Sequence, residues 1–584
     1  LGRTGNAAGL NVLLISVDTL RADHLGCYGN DAADTPNIDA LAESGIRFDQ
    51  AVSAAPITLV SHTTLMTGLD PPVHGVRLNG TFRLSDDHRT IAEILQSNGY
   101  ATAAVVGAFV LDARYGLGQG FDHYDDAVLP GLGHSDGRHA GAARPADHVT
   151  AGAFQWLDKH LAGPDASPFF LWVHYYDPHY PYEPPPPYRD SFADRPYDGE
   201  IAFTDAEIGR LIGALRARNL MDDTLIVFVG DHGEGLGEHD EETHLDLIYD
   251  STMRVPLIFS CARMFGEGGV VRERVAGLVD VFPTLLDLLG IDHDREGLDG
   301  VDILSDDVDA DRAVYIESLA GYLDYGWAAL HGLRRVHDKL ILSPNPEYFD
   351  LRADPGELDN LYGFERTALD LERRLEARLA EWAPNSQART AESPVDEEAL
   401  DRLAALGYVR RSAPAEDSGR DPKEMMHVDA RLKVALELGS SGDPASALRE
   451  VEAVLAEYPD APRALYMATA LYDQLGRLEE GEAALRRALE RRPKAEGWVH
   501  LAWYAFHQKD FETFEIALEE AERLDPLDGG IYISRGHREA SEGRLEEALR
   551  LFEKALEVDP VRSGASATEN IRAVRAMLDR RAGS

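Results

Sequence analysis

The chain has 584 residues, too many for a single core, and its 44% hydrophobic and 27% charged residues are ordinary globular proportions. Its 102 acidic against 57 basic residues leave a net charge of −45, which excludes nucleic acid and anionic membranes as partners of the general surface. An anionic substrate is not excluded, because salt screens that field over roughly 8 Å and a local metal centre can still capture an anion. Two cysteines, Cys27 and Cys261, supply neither a disulfide framework nor a thiolate cluster and are expected as buried thiols. No apolar run approaches the ~18 residues of a transmembrane segment. Residues 1–10 open on Leu rather than Met and read as a linker left after a signal or anchor, which implies export, periplasmic or membrane-anchored.

In chain order, apolar runs rich in Val, Ile and Leu predict buried strands at Asn11–Val17, Ala101–Val106, Phe169–Val173, Thr224–Val229 and Val255–Phe259. Amphipathic stretches such as Ile91–Asn98 and Ala206–Arg218 fall between them. Such alternation predicts an α/β unit over 11–384, a mostly parallel sheet with helices on both faces and ligands beyond the carboxyl ends of its strands. After about residue 310 the runs shorten, and Ala313–Glu317, Gly326–Leu333 and Lys339–Leu342 predict a small antiparallel sheet under a helix Thr367–Trp382. Residues 385–425 read as a linker, interrupted by a helical piece Glu397–Leu406.

The last third repeats. Pro459, Pro493, Pro526 and Pro560 are 34, 33 and 34 residues apart, and Gly442, Gly476, Lys509 and Gly543 keep the same spacings. Ala488, Ala521 and Ala555 hold the register on the second helix of each unit. The period is the ~34 residues of a tetratricopeptide unit, so an all-α solenoid of about four units is expected over 426–560. A helix Thr568–Arg580, within 561–584, caps the exposed end.

The residues that carry chemistry follow the strands. Asp18 ends Asn11–Val17, and Asp231 and His232 follow Thr224–Val229 within Gly230-Asp231-His232-Gly233-Glu234. Two strand-end carboxylates and an imidazole can converge on one divalent ion, Mn, Zn, Ca or Mg. Thr58 opens a stretch that can run as a helix to Gly68, where it would be the cap. The same placement puts a hydroxyl at a helix N-terminus, which favours negative charge and suits a nucleophile. His174, Asp177 and His179 follow the third strand, His244 lies twelve residues beyond His232, and Asn79 lies two residues beyond His74-Gly75-Val76-Arg77.

Taken with Val17-Asp18-Thr19-Leu20-Arg21-Ala22-Asp23, Thr35-Pro36-Asn37-Ile38-Asp39, Leu65-Met66-Thr67-Gly68, Val279-Asp280-Val281-Phe282-Pro283-Thr284 and Phe349-Asp350-Leu351-Arg352-Ala353-Asp354-Pro355-Gly356-Glu357, these residues resemble the sulfatase-like branch of the alkaline phosphatase superfamily from about Asn11 to Trp382. The resemblance implies an α/β alkaline-phosphatase-like fold and a metal held by Asp18, Asp231 and His232, with Thr58 as nucleophile and fourth ligand. It aligns His179 and His244 with groups that hold the transferred anion or help the leaving oxygen depart, and Asn79 with a group near the nucleophile. The chain departs from the sulfatase signature of Cys or Ser, any residue, Pro, Ser, Arg. Those positions are Thr58, Leu59, Val60, Ser61 and His62, of which only Ser61 agrees. Thr19 replaces the second Asp of the usual pair. A second metal would draw on Asp177, His179 and His244.

A threonine cannot become the aldehyde hydrate of the sulfatases. The expected function is therefore metal-dependent cleavage of phosphate mono- or diesters, an anionic ester being the substrate. A sulfuric-ester hydrolase, a phosphoryl-group transferase on exported glycans or lipids, and a degenerate enzyme acting as a repeat-based scaffold are the alternatives, with a protein partner expected for the repeats.

Overall fold

The computed structural model describes residues 9–127, 143–163, 167–266, 268–386, 391–392, 418–560 and 563–582. The large sheet is built from β1 (Asn11–Val17), β2 (Gly45–Val52), β3 (Ala101–Val106), β4 (His123–Asp125), β5 (Phe169–Tyr175), β6 (Thr224–Gly230), β7 (Arg254–Ser260) and β8 (Val270–Gly277), in the spatial order β4-β3-β5-β1-β6-β7-β2-β8. In β1, β5 and β6 every residue is buried. Unbroken apolar runs of this kind are what a central strand needs when helices cover both of its faces. One face carries Leu14, Trp172 and Val227 into a core with the helices Thr58–Thr67 and Val281–Leu289. The other carries Leu13, Ile15 and Phe228 against the helices Ala146–Leu161 and Pro196–Ala217.

The sheet is mostly parallel, as expected, but β7 runs antiparallel to both β6 and β2. An apolar run carries no sign of direction, so this reversal was not readable from β7 itself. The strands β2 and β8 at this end of the sheet were not anticipated, because Arg47, Asp49 and Gln50 break up one and Arg272, Glu273 and Arg274 the other. Register then sets the site. β1 pairs β6 with Val17 opposite Gly230, and β5 with Ser16 opposite His174 and Val17 opposite Tyr175. The carboxyl ends of β1 and β6 are therefore level, and Asp18 and Asp231 leave the sheet side by side.

The antiparallel sheet has four strands, Val314–Ser318, Leu330–Arg334, Asp338–Leu342 and Glu347–Asp350, in sequence order. The last is short and half polar, and only three had been expected. The helix Arg366–Ser386 covers it through Leu371 and Leu375, packed against Tyr315, Leu333, Leu340 and Tyr348. The expected piece Glu397–Leu406 lies outside the described residues. Cys261 is buried, but Cys27 is only half-buried, a correction to the expected pair of buried thiols.

Four antiparallel helix pairs follow, from Met426–Ser440 with Pro444–Glu457 to Gly529–Ser541 with Leu545–Val558, and the helix Gly564–Ala582 stacks on the end. The recurring turn position is left-handed, with φ of 87° at Gly442, 71° at Gly476 and 79° at Gly543. Lys509 adopts the same conformation at 62°, at a cost on the order of 1 kcal/mol that glycine avoids. The side chains of Ala488, Ala521 and Ala555 are fully buried where paired helices approach.

Candidate metal centre and nucleophile

Asp18 is the first residue beyond β1, held by its backbone N–H donating to Tyr175 O at 2.9 Å, and it is fully buried. Asp231 leaves β6 the same way, its N–H donating to Val17 O at 3.2 Å. The Asp231 Oδ1 atom accepts from the backbone N–H groups of His232 at 2.7 Å and Thr19 at 3.1 Å. That leaves Oδ2, which accepts no hydrogen bond, and the same is true of Asp18 Oδ2. His232 Nδ1 lies 2.9 Å from Gly233 O, so it carries the proton and Nε2 presents a lone pair.

Thr58 is the first residue of the helix Thr58–Thr67, not its cap: Ile57 is the cap residue and the Thr58 hydroxyl bonds no backbone N–H. This corrects the expected geometry and frees the hydroxyl. Its Oγ1 lies 3.5 Å from Asp18 Oδ1 and 3.3 Å from His232 Nε2. His232 Nε2 is in turn 3.6 Å from Asp18 Oδ1 and 3.6 Å from Asp231 Oδ2. Such separations are those of neighbours around a four-coordinate ion with bonds of about 2.1 Å. Burial, then the charges of Asp231 and Glu234, push the Asp18 carboxyl well above the usual range, and burial does the same to Asp231. Two buried carboxylates with unpartnered oxygens are costly without a counter-charge, so these residues fit a divalent cation. Thr19, where a second Asp was missed, turns away: its φ is 53° and its hydroxyl donates to Pro178 O at 3.1 Å.

The helix start is served by Asn79, whose Oδ1 accepts from Leu59 N–H at 2.9 Å while its buried Nδ2 has no partner. That amide can donate to an anion beside Thr58. His244 Nδ1 lies 3.1 Å from Glu234 Oε1, and its Nε2 is buried without a partner. Burial pushes His244 down to about 3 and Glu234 up to about 8. The His244 ring lies 4.6 Å from that of His232 and 5.0 Å from that of His179, centroid to centroid. His179 is fixed through Nδ1 by the Tyr176 hydroxyl at 2.8 Å and Tyr180 O at 2.7 Å. Asp177 does not join them, since its Oδ2 accepts from Ala146 N–H at 2.9 Å. The expected second-metal set of Asp177, His179 and His244 is therefore not assembled. Among the described residues, the donors within 4.8 Å of one another are Asp18, Asp231 and His232, and a second set of His62, His174 and Asp231.

His62 and His174 are the residues whose roles the sequence did not disclose. His62 stands where the signature has Arg, and its ring bridges Thr58 O at 2.7 Å and Ser16 Oγ at 2.9 Å. Ser16 Oγ also accepts from the Trp172 indole at 2.9 Å. His174, opposite Ser16, is fully buried with neither ring nitrogen hydrogen-bonded, and its Nε2 lies 3.6 Å from Asp18 Oδ2. No hydrogen bond spans that distance, but the ring stands beside the unpartnered carboxylate oxygen and limits how Asp18 can turn. His174→Leu is expected to weaken divalent-metal affinity about tenfold in calorimetric titration with Mn²⁺, whereas unchanged affinity would mean that Asp18 is oriented without it. Only the register of β1 against β5 brings this histidine to Asp18, and no spacing along the chain encodes it.

Residues 10–291 match the sulfatase family model, and residues 440–504 match a tetratricopeptide repeat model. The ulvan-active sulfatase of Formosa agariphila is 27% identical over 429 residues, covering 65% of this chain and 83% of the relative. The arylsulfatase of Clostridium perfringens is 25% identical over 449 residues, covering 61% and 90%. Among solved structures, the phosphonate monoester hydrolase of Agrobacterium radiobacter superposes with a TM-score of 0.52 at 22% identity, covering 64% of this chain and 96% of that one. The Bacteroides fragilis protein YidJ, described as a sulfatase, gives 0.56 at 23% identity, covering 66% and 99%. At those identities the structural likeness establishes the fold. The chain thus joins a sulfatase-family domain of the alkaline-phosphatase-like fold, a hydrolase of sulfuric or phosphoric ester bonds, to C-terminal tetratricopeptide repeats.

Proposed function

We propose that this hydrolase cleaves phosphate mono- or diesters with Thr58 as the nucleophile. The observation that carries the reading is a buried hydroxyl, unspent on helix capping, 3.3 Å from His232 Nε2 and 3.5 Å from Asp18 Oδ1. A divalent ion held by Asp18, Asp231, His232 and Thr58 would lower the pKa of that hydroxyl and offset charge on the ester oxygens. The backbone N–H groups of the first turn of Thr58–Thr67 favour the same negative charge, and Asn79 Nδ2 can donate to it. Thr58 gives its hydroxyl proton to solvent, and its Oγ1 forms a bond to phosphorus as the bond to the leaving oxygen breaks, that oxygen taking its proton from His244. Glu234, on the other nitrogen, orients the ring and exchanges its proton. Water then attacks phosphorus, His244 accepts the water's proton, and the Thr58 oxygen departs and is reprotonated. His179 faces His244 and is placed to hold the transferred anion.

A second reading, sulfuric-ester hydrolysis by an unmodified alcohol, is favoured by the sulfatase names of the curated relatives. The two separate on matched aryl phosphates and aryl sulfates given to the metal-loaded protein. The phosphate reading predicts kcat/KM higher for phosphate by at least about 100-fold, a difference of about 2.7 kcal/mol between transition states. A preference for sulfate would replace it with the second reading. An added alcohol acceptor that captured the phosphoryl group in place of water would make the enzyme a transferase. We further propose that residues 11–384 are the hydrolase unit, 385–425 a linker, 426–560 the repeats and 561–584 their cap, with the repeats offering a surface to a protein partner. Among the described residues no helix is long and apolar enough to cross a membrane.

A further inference from the structure

The loop that carries His244 is held in a conformation its own sequence disfavours. Leu236, His239, Asp240 and Leu245 have φ of 52°, 55°, 61° and 112°, all in the region that side chains other than glycine avoid. Tertiary contacts must therefore hold it. Inside the hydrolase unit, Glu241 Oε1 accepts from the N–H groups of Asp246 at 2.9 Å and Leu247 at 3.1 Å, and the Ser318 hydroxyl donates to Leu245 O. The Thr243 carbonyl accepts from Gly235 N–H at 2.5 Å, tying the neighbour of His244 to the neighbour of Glu234.

A further hold comes from the repeats. Lys433, on the first repeat helix Met426–Ser440, donates to Thr243 Oγ1 at 3.2 Å, and its ammonium is anchored by Asp429 at 2.8 Å. Asp429 in turn accepts from the Tyr325 hydroxyl of the hydrolase unit. The charges of Asp246 and Glu241 add to that of Asp429 in favouring this ammonium. The helix is no loosely tethered neighbour, because Met426, Val428 and Leu432 share a core with Leu247, Ile248 and Met253. Arg492, beyond the second repeat, adds a clamp by donating to Asp324 O at 2.9 Å and Leu323 O at 2.6 Å.

We propose that Lys433 is a positioning residue for His244: through Thr243, the first repeat helix fixes the loop that presents this histidine to the leaving oxygen, so that the repeats form part of the catalytic apparatus. The proposal rests on the reading that His244 protonates the leaving group. It is tested on the full, metal-loaded chain with matched phenyl and 4-nitrophenyl esters, phosphate and sulfate series in parallel. Rates are read in the first turnover, before water attacks the covalent intermediate; there nitrophenolate departs without a proton, so only the phenyl ester reports on His244. Lys433→Met is expected to lower the first-turnover rate on the phenyl ester about tenfold, with half-saturation within about twofold, and that on the nitrophenyl ester by less than about twofold. Lys433→Arg should recover the phenyl rate to within about threefold. Thr243→Val, which removes the same hydrogen bond from the other side, should reproduce the pattern if Lys433→Met folds poorly. In the His244→Ala background, Lys433→Met should cost nothing further. Equal losses on both esters, additive losses in the double variant, or no loss at all would overturn the proposal. If His244→Ala itself fails to discriminate the two esters, the acid role and the Lys433 proposal fall together. If it discriminates and Lys433→Met does not, only the latter falls.

Discussion

Thr58→Ala is expected to reduce kcat/KM for ester hydrolysis by at least about 10³-fold, equivalent to about 4.1 kcal/mol of transition-state stabilisation, while the protein remains folded. The two effects separate because of where the hydroxyl points. Asn79, not Thr58, accepts the Leu59 N–H of the helix's first turn, and Thr58 is 1% exposed. Deleting the oxygen removes one proposed metal donor of four and one nucleophile, and leaves the helix cap intact. A melting temperature within a few degrees of wild type should accompany the loss of rate. Thr58→Ser, which keeps an oxygen in place, should retain activity within about tenfold. Activity surviving in Thr58→Ala would remove the nucleophile from the account and leave the metal frame standing.

The second large effect is expected from Asp231→Asn. The substitution keeps the shape of the side chain, and its Oδ1 can still accept from His232 and Thr19 N–H. It replaces the unpartnered Oδ2 with an amide that cannot ligate a cation. Divalent-metal affinity should fall more than about 100-fold, measured by elemental analysis and titration, with hydrolysis falling to background. The metal-free variant should also melt higher than metal-free wild type, because one buried carboxylate without counter-charge has been removed. Metal binding would then stabilise wild type strongly and the variant hardly at all. A variant that bound metal as wild type does would show that the ion, if any, sits elsewhere.

Much of this frame was legible in the sequence, for physical reasons. Fully covered strands must be apolar throughout, so β1, β3, β5 and β6 announced themselves, and a carboxylate directly after such a strand emerges at the ligand-binding edge. The repeat was legible because a stacked helical unit constrains its turn glycine, its packing alanine and its terminal proline at one period. What failed was direction, edge and distance. The polar interruptions of β2 and β8 hid them, the reversal of β7 leaves no mark on its composition, and Glu347–Asp350 is too short to signal. At the site, the types and order of Asp18, Thr58, Asp231 and His232 pointed to a metal, but the cap residue is Ile57, not Thr58, and Asn79 serves the first turn from outside the helix. His174 and Lys433 reach the site only through strand register and through the docking of the first repeat helix, and neither is written in local spacing.

The claim that Thr58 attacks the ester is tested most directly by trapping its product. Wild type and His244→Ala, loaded with metal and turning over 4-nitrophenyl phosphate, are quenched in acid, which preserves phosphothreonine, and their peptides are read by high-resolution mass spectrometry. The account predicts one phosphoryl group on the peptide containing Thr58, accumulating in His244→Ala because the step that needs a base is slowed. Product release by both proteins with that peptide unmodified, or a phosphoryl group on another residue, would contradict it.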